Sequence, residues 1–581
     1  MRQSVGEHTF ESQHKLARTA VAAAVLVLVL VAAGCGSSNA ALPRTTTAKT
    51  TTTAPTTTTT PLPPTTHTGA ANEFSDFKIA MDQSTDYLDP GLSDTAEAWG
   101  VMWNVYLPLL GYEHVNGKAG ATLVPYLAAG LPHVSENGRV YRLRLRKNLH
   151  YSDGSRVVAS DFRSAVERSI LLDSAGAAFF SNIAGAAQFA SGDAKTIGGI
   201  RAHDKQRTIE IHLLAPEGDF ANILASEFAA PVPSSAPPTD SSLHPLPATG
   251  PYEIVSYQPH SRIVEVRNPY FNADLFDGNV PAGNPDRVTW DIVPSARAAL
   301  HAVLTGKDDW MSYWSIPEKR LAKLETLYLN TRLQKYTLPN LSYFFMNTRV
   351  APFNNVMVRR AVNYAISRKW LVHLAGGLAV STENVLPPGY PSYVKHRLYP
   401  YDIKKARKLV EQSGMKGKRV TVWNHDVAGD LPFTQYLVRV LNKLGFKAHE
   451  HDVTPSNYWS TLSDPHTKAQ IGFANWIQDY PHPLDWFGVL LDGRQTHTAR
   501  NDNYAYFNVP AVNQEIDSLT RQPASDDAAW AQLDRTVMEQ APWAPFLERE
   551  AVDFFSARVS PECYVNNVLY GFDYASICVK K

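Results

Sequence analysis

The sequence predicts an α/β protein of more than one domain, and three observations carry that prediction. The chain has 581 residues, more than one compact core organises. Between Asp402 and Trp476, helix-like and strand-like runs alternate in the βαβ rhythm of a sheet with helices laid on it. Between Val140 and Ile170, a run of period 2 hands over to a run of period 3.6.

The N-terminal stretch is built for export. Lys15 and Arg18 precede an apolar run from Ala20 to Ala33, short for a spanning helix but right for a signal peptide. The run ends Val31-Ala32-Ala33-Gly34-Cys35. Residues 1–35 therefore read as a signal peptide, with small residues before a cysteine. Residues 36–72 hold fifteen Thr between Thr45 and Thr68 and five Pro, with almost no charge or large apolar side chain. Such a segment cannot bury a core and reads as an extended tether.

The globular part opens with a strand at Phe77–Met81. Ser93 or Asp94 can cap a helix carrying Trp99, Met102, Trp103 and Tyr106 on one face. Tyr141, Leu143 and Leu145 then alternate with Arg142, Arg144 and Arg146, a strand with one apolar and one solvated face. Asn148 turns the chain, since Asn tolerates positive φ. Ser160 can cap a helix whose apolar face is Phe162, Ala165, Val166 and Ile170. Strands follow at Tyr252–Tyr257, Arg262–Arg267 and Arg287–Ile292, then a helix from Ala296 to Leu304 ending near Gly306. Tyr343–Thr348 is a strand, and Asn355 caps a helix over Val356–Ile366. Helices at Asp402–Gly414 and Pro432–Gly445 alternate with strands at Val420–Trp423, Lys447–Val453 and Gln470–Trp476.

Composition narrows the function. Lys plus Arg and Asp plus Glu both total 55, so nothing marks a polyanion-binding protein, and no nucleic-acid partner is expected. The 12 Trp and 26 Tyr suit a large core and an aromatic pocket. Of three cysteines, Cys563 and Cys578 lie fifteen positions apart in the last segment, and in an exported chain they should form a disulfide. No G-x-S-x-G, H-E-x-x-H or P-loop is present, so no enzyme and no cofactor are expected. Ser413-Gly414-Met415-Lys416 fits S-x-x-K without its companion motifs. His449-Glu450-His451 puts two imidazoles on one strand face, but a solvated strand explains them and no metal is expected.

Several runs together resemble the extracellular solute-binding proteins of family 5, which serve peptide and nickel importers of the ABC class. Leu145-Arg146-Lys147-Asn148-Leu149-His150-Tyr151-Ser152-Asp153-Gly154 resembles L-R-x-G-x-x-[FY]-x-D-G, with Asn148 for the Gly. Pro125-Tyr126-Leu127-Ala128 matches P-x-L-A, and Gly250-Pro251-Tyr252 sits in a G-T-G-P-Y-like run. Arg267-Asn268-Pro269-Tyr270-Phe271 resembles R-N-P-x-[YF]. Phe353 through Ser367 resembles P-F-x-D-x-x-V-R-x-A-x-x-x-A-I-D, with Asn355 and Ser367 for the two Asp. The resemblance extends from about Phe77 to Val559. The segment ending at Cys35 resembles a bacterial lipobox, with Cys35 as the lipidated residue.

The resemblance implies a two-lobed, periplasmic-binding-protein-like α/β fold with a hinge between lobes and an extra subdomain inserted in the first. Lobe one would comprise 73–115, 241–340 and 546–581, the insert 116–240, and lobe two 341–545. The chain would cross between lobes near Pro339 and Pro545. Trp476, Asp479, Tyr480 and Pro483 match the W-x-x-D-Y-x-x-P that supplies the carboxylate for a peptide's α-ammonium. A buried ammonium needs a charged partner, which makes that assignment chemically sensible. Trp459, with its neighbour Tyr458, stands where a second pocket tryptophan is expected. Arg494 and Arg500 could meet a ligand carboxylate, but exposure at the surface is the better reading of both.

The function implied is that of a monomeric, lipid-anchored binding protein that closes on a small solute, foremost a peptide, and delivers it to an importer's permease at the cell membrane. One alternative is an envelope lipoprotein that reuses the fold as a sensor or assembly regulator. A secreted hydrolase is a second, for which no nucleophile–base pair is visible.

Overall fold

The computed structural model describes residues 75–81, 85–312, 316, 318–426, 429–497, 501–522 and 526–580. The export segment, Cys35, the tether and Arg500 lie outside them. Among the described residues no helix is long and apolar enough to cross a membrane.

The molecule is a two-lobed α/β protein threaded by one twelve-stranded mixed sheet. The first lobe's half is built on strand Asp76–Met81, which lies parallel to Arg287–Ile292 on one side and Trp310–Ser312 on the other. The hairpin Tyr252–Gln258/Arg262–Arg267 extends it outward, turning at His260, which holds φ 58°. The second lobe's half runs Lys447–Val453, Arg419–His425, Ile471–Ile477, Asn340–Met346. Asn340–Met346 is buried at every position, as expected of a central strand covered on both faces.

A single strand, Trp543–Phe555, joins the halves. Its start pairs with Asn340–Met346, its middle with Ala379–Ser381, and its end with Leu333–Thr337 and Trp310–Ser312. Pro545 does not end this strand. The register slips beside Tyr343, and a bulge is where a strand accepts a residue lacking an N–H. The change of partner falls just beyond it, at Leu547–Glu550. There the return strand passes: Leu338 N–H donates to the Arg549 carbonyl at 2.9 Å, and Arg549 N–H donates to Asn340 Oδ1 at 2.9 Å.

A separate four-stranded antiparallel sheet orders His133–Ser135, Val140–Arg144, Thr208–His212 and Ile200–His203. Helix Ala159–Leu171 packs on it through Phe162 and Val166, into a core shared with Tyr141, Leu143, Ile209 and Ile211. Asn148 holds φ 60°.

Three local expectations are corrected. The helix at Ala159 is closed by the Asp161 carboxylate accepting the Val158 N–H at 2.9 Å, while Ser160 bonds Asp204 instead. Helix Ala96–Met102 is capped by Thr95 rather than Ser93 or Asp94. Arg146 is not solvated: it is buried, donating to the carbonyls of Pro125, Tyr126 and Leu275 and to Asp277. It staples the insert to the segment that follows, whereas Arg142 does lie on the exposed face, paired with Glu210.

Cys563 and Cys578 are joined, with Cα atoms 5.5 Å apart, beside the pairing of Val559–Ser560 with Cys578–Val579. His449 and His451 do lie on one strand face, where His449 meets Thr421 at 3.2 Å and His451 packs edge-on against Trp423. Among the described residues no group of three or more His, Cys, Asp or Glu has metal-binding geometry.

Candidate ligand-binding site

The second lobe's sheet has a topological switch at its carboxyl edge. From Arg419–His425 the chain passes through helix Leu431–Lys443 to the neighbouring strand Lys447–Val453. It returns through helix Pro455–Ser463 to Ile471–Ile477, on the other side of Arg419–His425. The two helices pack in different cores: Phe433 and Leu437 with Val420 and Val422, Tyr458 and Leu462 with Ala474. A crevice opens at the carboxyl ends of strands where connections diverge in this way, and ligands settle there. The turn after Ile477 stands at that edge, and it faces the first lobe.

Asp485, fully buried in the first turn of helix Leu484–Leu490, builds this turn. Its carboxylate accepts the Trp476 indole N–H at 3.2 Å and the Asp479 backbone N–H at 3.0 Å. Burial pushes the Asp485 carboxyl up to about 7; the Trp476 bond opposes that shift, and the charge of Asp219 adds to it. Trp476, Asp479 and Tyr480 are thus presented as one unit. Tyr480 is also held from behind, its carbonyl accepting the Tyr390 hydroxyl at 3.1 Å, while Tyr390 accepts the Trp486 indole N–H at 2.7 Å.

The residues on either side of Asp479 both touch the first lobe. Gln478 Nε2 donates to the Val568 carbonyl at 2.9 Å. The Tyr480 hydroxyl donates to the Asp219 carboxylate, and its ring meets Phe179 edge-on with centroids 6.4 Å apart. Asp479, half-buried, therefore lies on the seam between lobes. Beyond it, Glu217 accepts from Asn182 at 2.8 Å, and burial pushes its carboxyl up to about 7, with Asp219 adding to the shift. The lobes also meet at Gly218. A Cβ there would stand 2.5 Å from the Thr520 carbonyl oxygen, so only glycine permits this approach.

Trp459 lies on helix Pro455–Ser463, part-buried, with its ring stacked on Tyr504 at 5.7 Å and against His425 at 5.3 Å. Tyr458 is turned inward instead. It is fully buried, and its hydroxyl donates to the carbonyls of Phe473 and Trp423, so it pins the helix to the sheet and offers no group to a ligand. Arg494 is exposed but forked onto Asp492 and Asp517, which leaves its guanidinium committed.

Sequence reasoning missed Asp485, Asp219, Glu217, Phe179 and Tyr390. Asp219 and Glu217 follow a proline in a polar loop, a pattern that reads as solvated. Asp219 is buried and Glu217 half-buried where Tyr480 of the other lobe meets this loop. Asp485 was within reach: an acidic residue in the first turn of an apolar segment, six positions after Asp479, suits a cap for the turn before it.

Comparisons with known proteins agree with this fold. The glutathione-binding protein GsiB of Shigella dysenteriae serotype 1 is 25% identical over 527 residues, covering 86% of this chain and 94% of GsiB. GsiB of Escherichia coli O157:H7 matches to the same extent. Among solved structures, a clavulanic acid biosynthesis oligopeptide-binding protein superposes with a TM-score of 0.78 at 23% identity, covering 87% of this chain and 95% of that one. The DppA of Helicobacter pylori in complex with the peptide STSA superposes with a TM-score of 0.65 at 20% identity, over 87% and 99%. The family model of bacterial extracellular solute-binding proteins, family 5, middle region, matches residues 122–498, more than half of the chain, and the chain belongs to that family.

Proposed function

We propose that this protein captures a small peptide in the cleft between its lobes and passes it to the permease of an ABC importer. Asp479, a carboxylate on the seam, carries the reading: its two sequence neighbours each contact the opposite lobe. A free α-ammonium there would meet Asp479 from the second lobe, away from water, where such a charge-assisted bond is strongest. Trp476 supplies an aromatic wall beside it, and Tyr480 couples the same turn to lobe closure. Trp459, at the mouth of the crevice, offers a second aromatic surface. Relatives named for glutathione, itself a tripeptide, and for oligopeptides support a peptide over other solutes.

The boundaries proposed for movement are Leu338–Asn340 and Leu547–Glu550, two adjacent strands that change sheet partners together. Rotation about two such crossings closes lobes as bodies. Export and attachment through a lipidated Cys35, with residues 36–72 as the tether, complete the proposal and place a monomeric receptor beside its permease. No catalytic step is required.

Isothermal titration with alanine tripeptides and their N-acetylated counterparts tests the central contact. The free-amine peptide should bind at least about tenfold more tightly, as losing one charge-assisted contact implies, and Asp479→Asn should abolish the difference. Equal affinity for both forms would remove Asp479 from the role assigned to it. Absence of binding by any peptide would overturn the reading as a whole.

A further inference from the structure

Charge is placed unevenly along this chain. Residues 349–447 hold seventeen Lys and Arg against five Asp and Glu, while the whole chain has 55 of each. The fold then sorts these charges within the second lobe. Asp402 caps the start of helix Ile403–Gln412. Asp426 and Asp430 follow the carboxyl end of strand Arg419–His425, at the edge where the crevice opens. Basic side chains collect at the opposite, amino edge of the same sheet.

Backbone contacts hold six of them together there. Arg419 and Lys447 open two neighbouring parallel strands in register, and the Lys447 N–H donates to the Lys418 carbonyl at 2.9 Å. The Gly417 N–H donates to the Gly445 carbonyl at 2.8 Å, and a Cβ at Gly445 would stand 3.2 Å from the Lys416 stem. Arg407 Nε donates at 3.0 Å to the carbonyl of Lys443, the last residue of helix Leu431–Lys443. All six residues are exposed. Glu411 stands among them, paired with Lys416 at 3.0 Å.

Ordinary structural roles cover only part of this cluster. A lysine on an edge strand guards against strand addition, which accounts for Lys447 on the outermost strand. A cation at a helix C-terminus suits the helix dipole, which accounts for Lys443. Arg407, Lys416, Lys418 and Arg419 are left over. The face is not built like a protein interface either. Such interfaces are poor in Lys at their centre and are anchored by aromatic or apolar side chains, and none of the six is one. Long cationic side chains side by side suit a diffuse negative surface, which asks for charge rather than shape.

We infer that this amino-edge face of the second lobe docks on the anionic headgroups of a lipid membrane. The contact is a resting one: it turns the crevice, at the other edge of the sheet, toward solvent while it fills. A purely electrostatic contact also lets go readily. The inference rests on the reading of the chain as a membrane-attached protein and not on the role of Asp479.

The test mixes the full-length protein with vesicles of phosphatidylcholine, with and without phosphatidylglycerol. Co-sedimentation reports attachment, and amine acylation read by mass spectrometry reports which lysines the surface covers. With phosphatidylglycerol, Lys416, Lys418, Lys443 and Lys447 should be acylated several-fold more slowly, while Lys205 on the insert keeps its rate. High salt should cancel the difference. Joint replacement Lys418→Glu and Lys447→Glu should remove the protection of Lys416 and Lys443 and melt with the parent, both side chains being exposed. Attachment to both kinds of vesicle with equal acylation would overturn the docking face while leaving membrane attachment intact. Attachment to neither would overturn both. Protection that survives the double variant or high salt would overturn the inference, since charge would not be its cause. Protection on intact cells but on neither vesicle would give the face to a protein partner and overturn it as well.

Discussion

Asp485 shows how one buried carboxylate can position the residues of a proposed site. Its carboxylate gathers two donors, the Trp476 indole and the Asp479 amide, and so fixes both side chains at the strand end. Asp485→Ala would leave both donors buried and unpaired, a cost on the order of 2 kcal/mol or more. The expected outcome is a lower melting temperature together with weaker peptide binding. Asp479→Ala should weaken binding at unchanged melting temperature. Titration and thermal scanning on the two variants separate positioning from contact. Asp479, Trp476 and Tyr480 could be proposed from the sequence because they lie together in one ordered motif. Asp219 gave no such signal, because it meets Tyr480 only where distant segments come together. Tyr458 shows the converse: adjacent to Trp459 in sequence, it is one helical step away and faces the sheet rather than the crevice.

At the scale of elements, strand Trp543–Phe555 and the Gly218 loop set how the lobes meet. Replacing Gly218 with Val would push a side chain into the Thr520 carbonyl, which is backbone and cannot swing aside. The variant should fold, yet keep its lobes further apart. A larger radius of gyration in small-angle scattering with saturating peptide, and at least about tenfold weaker binding, are expected. An unchanged radius and affinity would show that this approach is incidental. The last segment is a smaller case. Reducing the Cys563–Cys578 disulfide, or replacing both cysteines with Ser, should cost about 3 kcal/mol by the loop-closure argument, read as a lower melting temperature. Most of these elements were visible in the sequence, since periodicity and caps mark them: Asn355 and Ser367 each accept a backbone N–H as caps of their helices. Pro545, expected near a crossing between lobes, lies inside a strand that continues through it on a shifted register.

For the whole molecule, the buried acids give stability a particular pH dependence. Burial pushes the carboxyls of Glu265 to about 8, Asp485 and Glu217 to about 7, and Asp553 to about 6. An unfolded carboxyl ionises near 4. Between that value and 6 to 8 the folded state therefore holds more protons than the unfolded state, so unfolding becomes easier as pH rises. Asp573 works the other way: its carboxyl is held below the ordinary range against its own burial, with the charge of His114 first among the causes that lower it. Glu210, bonded to Arg142, and Asp517, against its own burial but bonded to Arg494 and Arg521, are held down too. Groups lowered below the ordinary range are ionised in both states above pH 5.5 and do not oppose the four. The unliganded protein should melt a few degrees higher at pH 5.5 than at pH 8, and scanning calorimetry across that range checks it. The α/β class and the presence of more than one domain were legible from rhythm and length, which follow from how much apolar surface a chain must bury and at what period, while the two lobes came from the family resemblance. The acidic character of the seam was not, because a chain with equal numbers of acids and bases conceals where each collects.

The most direct test of peptide capture is native mass spectrometry of the full-length protein, purified from its own host without refolding. Capture predicts a set of bound small masses that denaturation releases as peptides, and that Asp479→Ala shifts or loses. A protein that emerges empty, and stays empty after incubation with peptide mixtures, would contradict the account. It would leave an envelope protein that keeps this fold for another purpose.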